Sequence, residues 1–162
     1  MTTVRMVTRR LAGFSLIELL VSAAILGLLA SIAVPFVETT VRREKERALR
    51  IALRDIRQAI DAYQHAAATG RIKAPADSGC PKTLTDLTSG ATDLGPRGGK
   101  LYFLRRIPRD PFFADSSVAA ANTWGLRSYA SSDDAPKKGD DVFDVYSQSK
   151  QTGMNGIPYK EW

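Results

Sequence analysis

The chain has 162 residues, of which 44% are hydrophobic and 25% charged, a balance that excludes a largely disordered protein. The formal net charge is +6, but Arg5, Arg9 and Arg10 contribute three of these charges ahead of the first apolar block, which leaves little support for nucleic-acid binding. Cys80 is the only cysteine, so an intramolecular disulfide is excluded.

An apolar run extends from Phe14 to Phe36 behind a polar and basic segment, residues 1–13. As a helix it would be about 34 Å long, enough to cross the hydrocarbon core of a membrane, and we predict a single transmembrane segment at residues 14–36. A secretory signal peptide normally has a shorter apolar region. Small residues near Ala33 still leave a signal peptide cut after that residue as an alternative, and an uncleaved signal anchor as another.

Glu18 is the one charge within the apolar run. A carboxylate inside the bilayer costs about 2.5–3.5 kcal/mol, so an anchor with no other task would avoid it. Either Glu18 lies near the membrane interface, or it has a cationic partner. Cleavage just before Phe14 would create such a partner, an α-amino group one helical turn away in the same chain or facing Glu18 of a neighbouring chain.

The stretch Arg-Arg-Leu-Ala-Gly-Phe-Ser-Leu-Ile-Glu-Leu-Leu, at residues 9–20, resembles the class III leader junction of type IV pilins and pseudopilins. The resemblance implies that prepilin peptidase removes residues 1–13 by cutting after Gly13 and then N-methylates Phe14. It also implies that Glu18 pairs with the N-terminal amine during assembly.

Two further positions match the family in register. Gly27 matches a glycine of the assembly helix, and Pro35 matches a helix-kinking proline, so the resemblance implies a helix joint at these residues. It also implies a single-pass protein of the bacterial inner membrane, with residues 37–162 in the periplasm. The positive-inside rule opposes this topology, because several basic residues follow the span, namely Arg42, Arg43, Lys45, Arg47, Arg50 and Arg54; long domains nevertheless translocate despite such a bias.

Beyond Pro35 the pattern predicts an amphipathic helix to about residue 69, stopped by Gly70. Its apolar stripe comprises Val41, Ala48, Leu49, Ala52, Leu53, Ile56, Ile60, Tyr63 and Ala67. The other face carries Arg43, Glu46, Arg47, Arg50, Arg54, Arg57 and Asp61. We expect that face to be solvated, with a Glu46–Arg50 pair; contact with lipid, nucleic acid or other subunits is the alternative.

The remainder divides into a loop at residues 70–100, rich in Gly, Pro, Ser and Thr, and a sheet with a tail at residues 101–162. A short helix fits Pro81–Thr88. Strand patterns occupy 126–130 and 142–146, and 101–107 is either strand or loop. We therefore predict an α+β fold in which the long N-terminal helix packs on a small antiparallel sheet, as in type IV pilins.

Three stretches resemble the G-type major pseudopilin of type II secretion systems: Arg106–Phe112, Trp124–Gly125 and Val142–Ser147. Residues 113–123 depart from the family pattern by separating the first stretch from the second.

The calcium-binding loop of that family corresponds to residues 148–161, where Glu161 is the only acid, so we predict no calcium site and no other metal or cofactor. We expect solvated turns at Asp133, Asp134, Asp140 and Asp141. We also expect the tail to pack through Ile157, Tyr159 and Trp162.

Enzymatic chemistry is not indicated. His65 is the only histidine and has no partnered nucleophile, and no phosphate-binding loop or nucleophile elbow is present. Asp110 lies between prolines and fits a turn residue better than an acid catalyst. Cys80 is expected to have no functional role.

The resemblance implies a structural subunit of a type II secretion pseudopilus, polymerised through its N-terminal helix to drive protein export. Its partners would be other pseudopilins, prepilin peptidase, and the inner-membrane assembly platform with its ATPase. The alternative is a major or minor subunit of a type IV pilus, acting in adhesion, motility or DNA uptake. A lone cysteine argues against the disulfide loop of major pilins, and a tail with only Lys150 and Lys160 argues against nucleic-acid binding.

Overall fold

The computed structural model describes residues 14–96 and 98–162, with the backbone alone at residues 32–35. The chain divides into two compact units, one ending at Val41 and one comprising Arg42–Trp162. The described elements are α1 (Leu16–Ala68), α2 (Asp86–Ser89), β1 (Ala91–Thr92), β2 (Lys100–Leu101), β3 (Trp124–Arg127), β4 (Asp144–Ser147), and 3-10 turns at Ala120–Thr123 and Tyr159–Glu161. A long N-terminal helix with small antiparallel sheets confirms the predicted α+β class.

Helix α1 ends where the sequence predicts. The Arg71 amide donates to the Ala66 carbonyl at 2.9 Å, and Gly70 adopts a φ of 71°. Glycine tolerates this left-handed conformation, which lets the chain turn away while the last carbonyls keep partners. Helix α1 continues through Pro35, and the joint predicted at that residue stays a prediction.

The strands form two separate antiparallel pairs, β1 with β2 and β3 with β4. In the second pair Leu126 lies opposite Val145. The strand predicted at 126–130 in fact begins at Trp124 and ends at Arg127, because the next amide, that of Ser128, donates to the Lys137 carbonyl and closes a loop instead. Of residues 101–107, only Leu101 is in a strand.

The core lies between α1 and the segments that follow it. Buried apolar side chains on α1 pack with others from the loop and sheet, including Leu49, Leu53, Ile56, Ile60, Tyr63, Leu84, Leu87, Trp124, Val142, Val145 and Tyr159. The predicted stripe is wrong at its first positions: Val41 is 50% exposed and Ala48 is exposed. Burial on α1 starts at Glu46, where the tail crosses the helix.

The turn around Asp110 is held by that residue's own carboxylate, as expected of a turn residue. Its Oδ1 accepts from the Phe112 amide at 2.8 Å. Its Oδ2 accepts from Ser147 Oγ at 2.6 Å, and the side chain is fully enclosed. Asp110 therefore also ties the turn to β4.

The acidic cluster is only partly solvated. Asp133, Asp134 and Asp140 are exposed as predicted, but Asp141 is buried. Its carboxylate accepts from Ser128 Oγ at 2.6 Å, from the Tyr129 amide at 3.0 Å, and from Ser78 Oγ. Burial alone would raise the pKa of Asp141, but these hydrogen bonds outweigh burial and lower it.

Candidate functional site: the N-terminal segment and the arginine face of α1

The described chain begins at Phe14, so Gly13 and the predicted leader lie outside it. The Ser15 carbonyl accepts from the Glu18 amide at 3.0 Å and from the Leu19 amide at 3.2 Å, which starts α1. Ser15 and Glu18 have the Ser-x-x-Glu spacing of a capping box, but the side-chain hydrogen bonds of such a box are absent from the described residues. Glu18 thus lies in the first helical turn, where the helix dipole favours a negative charge.

Glu18 is exposed and, within residues 14–96 and 98–162, its carboxylate has no hydrogen-bond or ion-pair partner. Phe14 is four residues earlier, a separation equivalent to about one 5.4 Å helical turn. The Glu18 carboxylate is therefore available to pair with a cation from elsewhere, as the predicted pairing with an N-terminal amine requires.

Apolar side chains are exposed around the whole circumference of the first turns of α1; they include Phe14, Leu16, Ile17, Leu19, Leu20, Val21, Ile25, Leu26, Leu28 and Leu29. Two hydroxyls here bond back to their own helix: Ser22 Oγ donates to the Glu18 carbonyl at 2.7 Å and Ser31 Oγ to the Leu28 carbonyl at 3.0 Å. Such internal bonding suits an apolar environment, in which an unpaired polar group is costly. By length and composition, this helix can cross a membrane.

Gly27 lies within this apolar part of α1. A Cβ built at this position would meet no atom within 4 Å. The described chain therefore has no steric need for glycine there, and the role of Gly27 as part of a joint stays a prediction.

The arginine face of α1 is not simply solvated, which corrects the prediction for Glu46. This side chain is only 4% exposed, and its Oε1 accepts from the Met154 amide at 2.8 Å and from Tyr159 Oη at 2.9 Å. The expected Glu46–Arg50 pair is present but loose, at 3.9 Å. The prediction failed because helical periodicity gives the direction of a side chain, not what a distant segment places over it.

Three arginines of α1 bind the tail, residues 148–162, or the neighbouring strand. Arg42 donates to Tyr159 Oη at 3.3 Å and to the Thr152 carbonyl. Arg57 bonds Asp144 at 2.8 Å and also donates to the main-chain carbonyl of Trp162 at 2.8 Å.

The third of these arginines, Arg50, contacts the aromatic ring of Trp162. Its guanidinium carbon lies 4.2 Å from the centroid of the Trp162 ring, a cation–π distance. Arg50, Arg42 and Arg57 together hold the tail against the helix.

The other arginines of this face, Arg43, Arg47 and Arg54, are exposed and have no hydrogen-bond or ion-pair partner in the described part of the chain. For these residues the expectation of a solvated face is confirmed. The face thus carries two sets of cations, one engaged by the tail and one free for external anions.

The tail packs as predicted through two of its three named residues. Tyr159 is fully buried, stacked 4.1 Å from the Phe112 ring, and Trp162 meets Tyr159 edge-on at 5.0 Å. The prediction that Ile157 packs into the domain is wrong, because its side chain is 45% exposed. Its carbonyl accepts from the Gly153 amide and from Trp162 Nε1, so Ile157 contributes through its backbone while the side chain points outward.

Two residues considered for chemistry are also located. His65 is exposed near the end of α1. Cys80 is buried, and burial raises the pKa of its thiol, which leaves little thiolate at neutral pH. Across residues 14–96 and 98–162, no group of three or more His, Cys, Asp or Glu side chains is placed to hold a metal ion.

Comparison with known families finds one match. The prokaryotic N-terminal methylation motif matches residues 8–34, a stretch that contains Gly13, Phe14, Glu18 and Gly27. No curated protein and no solved structure matches the chain significantly. The motif supports a type IV pilin-like protein that is a prepilin peptidase substrate, and the exposed apolar helix behind it is consistent with membrane anchoring.

Proposed function

We propose that this chain is a structural subunit of a type II secretion pseudopilus. The observation that carries the filament-subunit part of this proposal is the methylation motif at residues 8–34, placed at the head of a helix whose apolar side chains are exposed on every side. Such a helix has to be covered by lipid or by other helices. When a subunit moves from the membrane into a filament, the helices of its neighbours replace the lipid around these side chains.

The proposed mechanism assigns one role to each residue of the segment. Cleavage after Gly13 creates the amine of Phe14, which is then methylated. Glu18, exposed and without a described partner, pairs with the amine of a neighbouring subunit and sets the axial register. Gly27 and Pro35 form the joint that lets the helix adapt when it leaves the bilayer.

The resemblance of three stretches to G-type pseudopilins is what favours the secretion branch, and in the structure these stretches are bonded together. Trp124 Nε1 donates to the Pro108 carbonyl at 2.8 Å, and Ser147 Oγ donates to Asp110. The intervening segment 113–123 is mostly exposed up to the buried Thr123, and Arg109 donates to the Val118 carbonyl within it. The inserted residues therefore leave the contact between Pro108 and Trp124 in place.

The proposal includes location and partners. The chain would lie in the bacterial inner membrane with residues 37–162 in the periplasm, and would assemble with other pseudopilins through a platform and its ATPase. It would act without enzymatic activity and without a metal or cofactor. A subunit of a type IV pilus remains the second candidate, because the methylation motif is shared by both.

Intact mass and N-terminal peptide mapping of the protein from its native membrane test the processing step. We expect a chain that begins at methylated Phe14. A chain that retains residues 1–13, or one cut after Ala33, would contradict the proposed assembly through Glu18.

Deletion of the coding sequence then separates the two candidate functions. We expect protein export to be lost while twitching motility continues. Loss of motility with intact export would instead assign the chain to a pilus.

A further inference from the structure

The part of α1 at residues 42–50 packs against little of the core. Glu46 and Leu49 are its buried side chains, and the others are exposed. The three residues before it, at positions 39–41, are Thr, Thr and Val, which are β-branched and poor helix formers. These residues of α1 therefore receive little stabilisation from the core or from the helix that precedes them.

Charge also opposes helix formation here. Arg47 lies four residues from Arg43 and three from Arg50, spacings at which like charges destabilise a helix. Glu44, an exposed acid between them, forms no ion pair in the part of the chain that the structure describes. A helical segment with these features is marginal unless another part of the fold supports it.

The tail, residues 148–162, supplies that support. The hydrogen bonds and ring contacts described between residues 42–50 and the chain outside α1 all go to the tail, at Thr152, Met154, Tyr159 and Trp162. One hydroxyl joins two side chains of α1, because Tyr159 Oη accepts from Arg42 at 3.3 Å and donates to Glu46 at 2.9 Å. The tail therefore bridges two successive turns of the helix.

We propose that the tail acts as a clasp that keeps residues 42–50 of α1 helical, with the Tyr159 hydroxyl as its central contact. Unwinding of α1 during assembly would then stop before Arg42. That consequence rests on the proposed function, since it requires a subunit whose helix adapts as it leaves the membrane. The clasp itself is a property of the folded chain and does not depend on assembly.

Hydrogen exchange followed by mass spectrometry on the full chain in detergent tests the clasp. Tyr159→Phe keeps the ring that stacks on Phe112 but removes the hydroxyl shared by Arg42 and Glu46. The amides of residues 42–50 should exchange about tenfold faster, because this part of the helix opens locally, whereas those of β3 and β4 should be unchanged.

The matched control is Tyr129→Phe. The Tyr129 side chain is 61% exposed, and its hydroxyl makes no hydrogen bond within residues 14–96 and 98–162. Exchange of residues 42–50 in this variant should equal that of the wild-type chain.

A second substitution separates support of the helix from simple loosening of the tail. Arg47→Glu places an acid one turn from both Arg43 and Arg50, and Arg47 has no hydrogen bond or ion pair with the tail as described. Added to Tyr159→Phe, it should slow exchange of residues 42–50 by about two- to fivefold, while the tail amides stay fast.

The outcomes keep this inference apart from the proposed function. Unprotected amides at residues 42–50 of the wild-type chain, no faster exchange there in Tyr159→Phe, equal acceleration in β3 and β4, or no slowing by Arg47→Glu would each overturn the clasp and leave the proposed function intact. The N-terminal mass of the same preparation tests the proposed function. An N-terminus that is not methylated Phe14, found with exchange as expected, would contradict the proposed assembly and leave the clasp in place.

Discussion

At the scale of single residues, buried carboxylates organise the unit that comprises Arg42–Trp162. Glu46, Asp110 and Asp141 each accept two or more hydrogen bonds from segments distant in sequence or from a loop. A carboxylate is an effective acceptor for several donors at once, and its burial is tolerated only when those donors are present.

Replacing Glu46 by alanine should loosen the tail. The Met154 amide and Tyr159 Oη would lose their buried acceptor, at a cost of about 1–3 kcal/mol in the free energy of unfolding. Denaturant unfolding followed by tryptophan fluorescence would measure the change. The control is Glu44→Ala, which removes an exposed acid of the same helix and should leave the free energy of unfolding nearly unchanged. If both variants lost the same free energy of unfolding, the tail would not depend on Glu46 in particular.

Asp141 should contribute to the acid sensitivity of the fold. Its pKa is lowered in the folded state, so its stabilising effect is complete above the ordinary carboxyl pKa, about 3.9, and is lost as pH falls through the lower folded value. Asp141→Asn should therefore be less stable at neutral pH and lose less further stability below about pH 4.

Melting temperatures measured from pH 3 to pH 7 would test this expectation. Asp140→Asn, at the exposed neighbouring position, is the control and should follow the wild-type curve. Parallel curves for wild type and Asp141→Asn would assign the acid sensitivity to other carboxyls whose pKa is lowered, such as Asp93 beside Arg71.

At the scale of elements, the tail depends on close backbone approach at Gly153. A Cβ at this position would lie 2.4 Å from Trp162 Cζ2 and 2.6 Å from Asn155 Oδ1. Both distances are far below van der Waals contact, so the tail would have to move. The tail is thus closely packed around Gly153.

Gly153→Ala should therefore shift Trp162 towards solvent and cost about 1–3 kcal/mol by overpacking. A red-shifted tryptophan emission and faster hydrogen exchange at the Met154 amide would report the change. Gly27→Ala is the matched control, since its Cβ would meet no described atom. Unaltered emission in Gly153→Ala would mean that the tail accommodates the methyl group.

At the scale of the whole molecule, the proposed function separates the residues that fold the chain from those that would assemble it. Glu18 has no described partner, so Glu18→Ala should leave the melting temperature unchanged. If the proposed amine pairing holds, the same variant should lose most filament assembly while it is still processed at Phe14.

Thermal unfolding, filament yield and N-terminal mass, measured on one preparation, would separate these effects. Glu38→Gln is the matched control, because Glu38 is a second exposed carboxylate of α1 without a described partner. Filaments of normal yield from Glu18→Ala would remove Glu18 from the assembly mechanism.

The sequence by itself determined the long helix, its end near residue 69, the α+β class and the motif at residues 8–34, because these depend on local periodicity, apolar run length and residue spacing. It also indicated that the tail aromatics Tyr159 and Trp162 pack against the core. Only the tertiary structure decided that Glu46 and Asp141 are buried, that Val41 and Ile157 are exposed, and which arginines of α1 remain free. The physical reason is that burial of a polar side chain depends on donors brought from far along the chain, and helical periodicity specifies a direction without specifying what lies there.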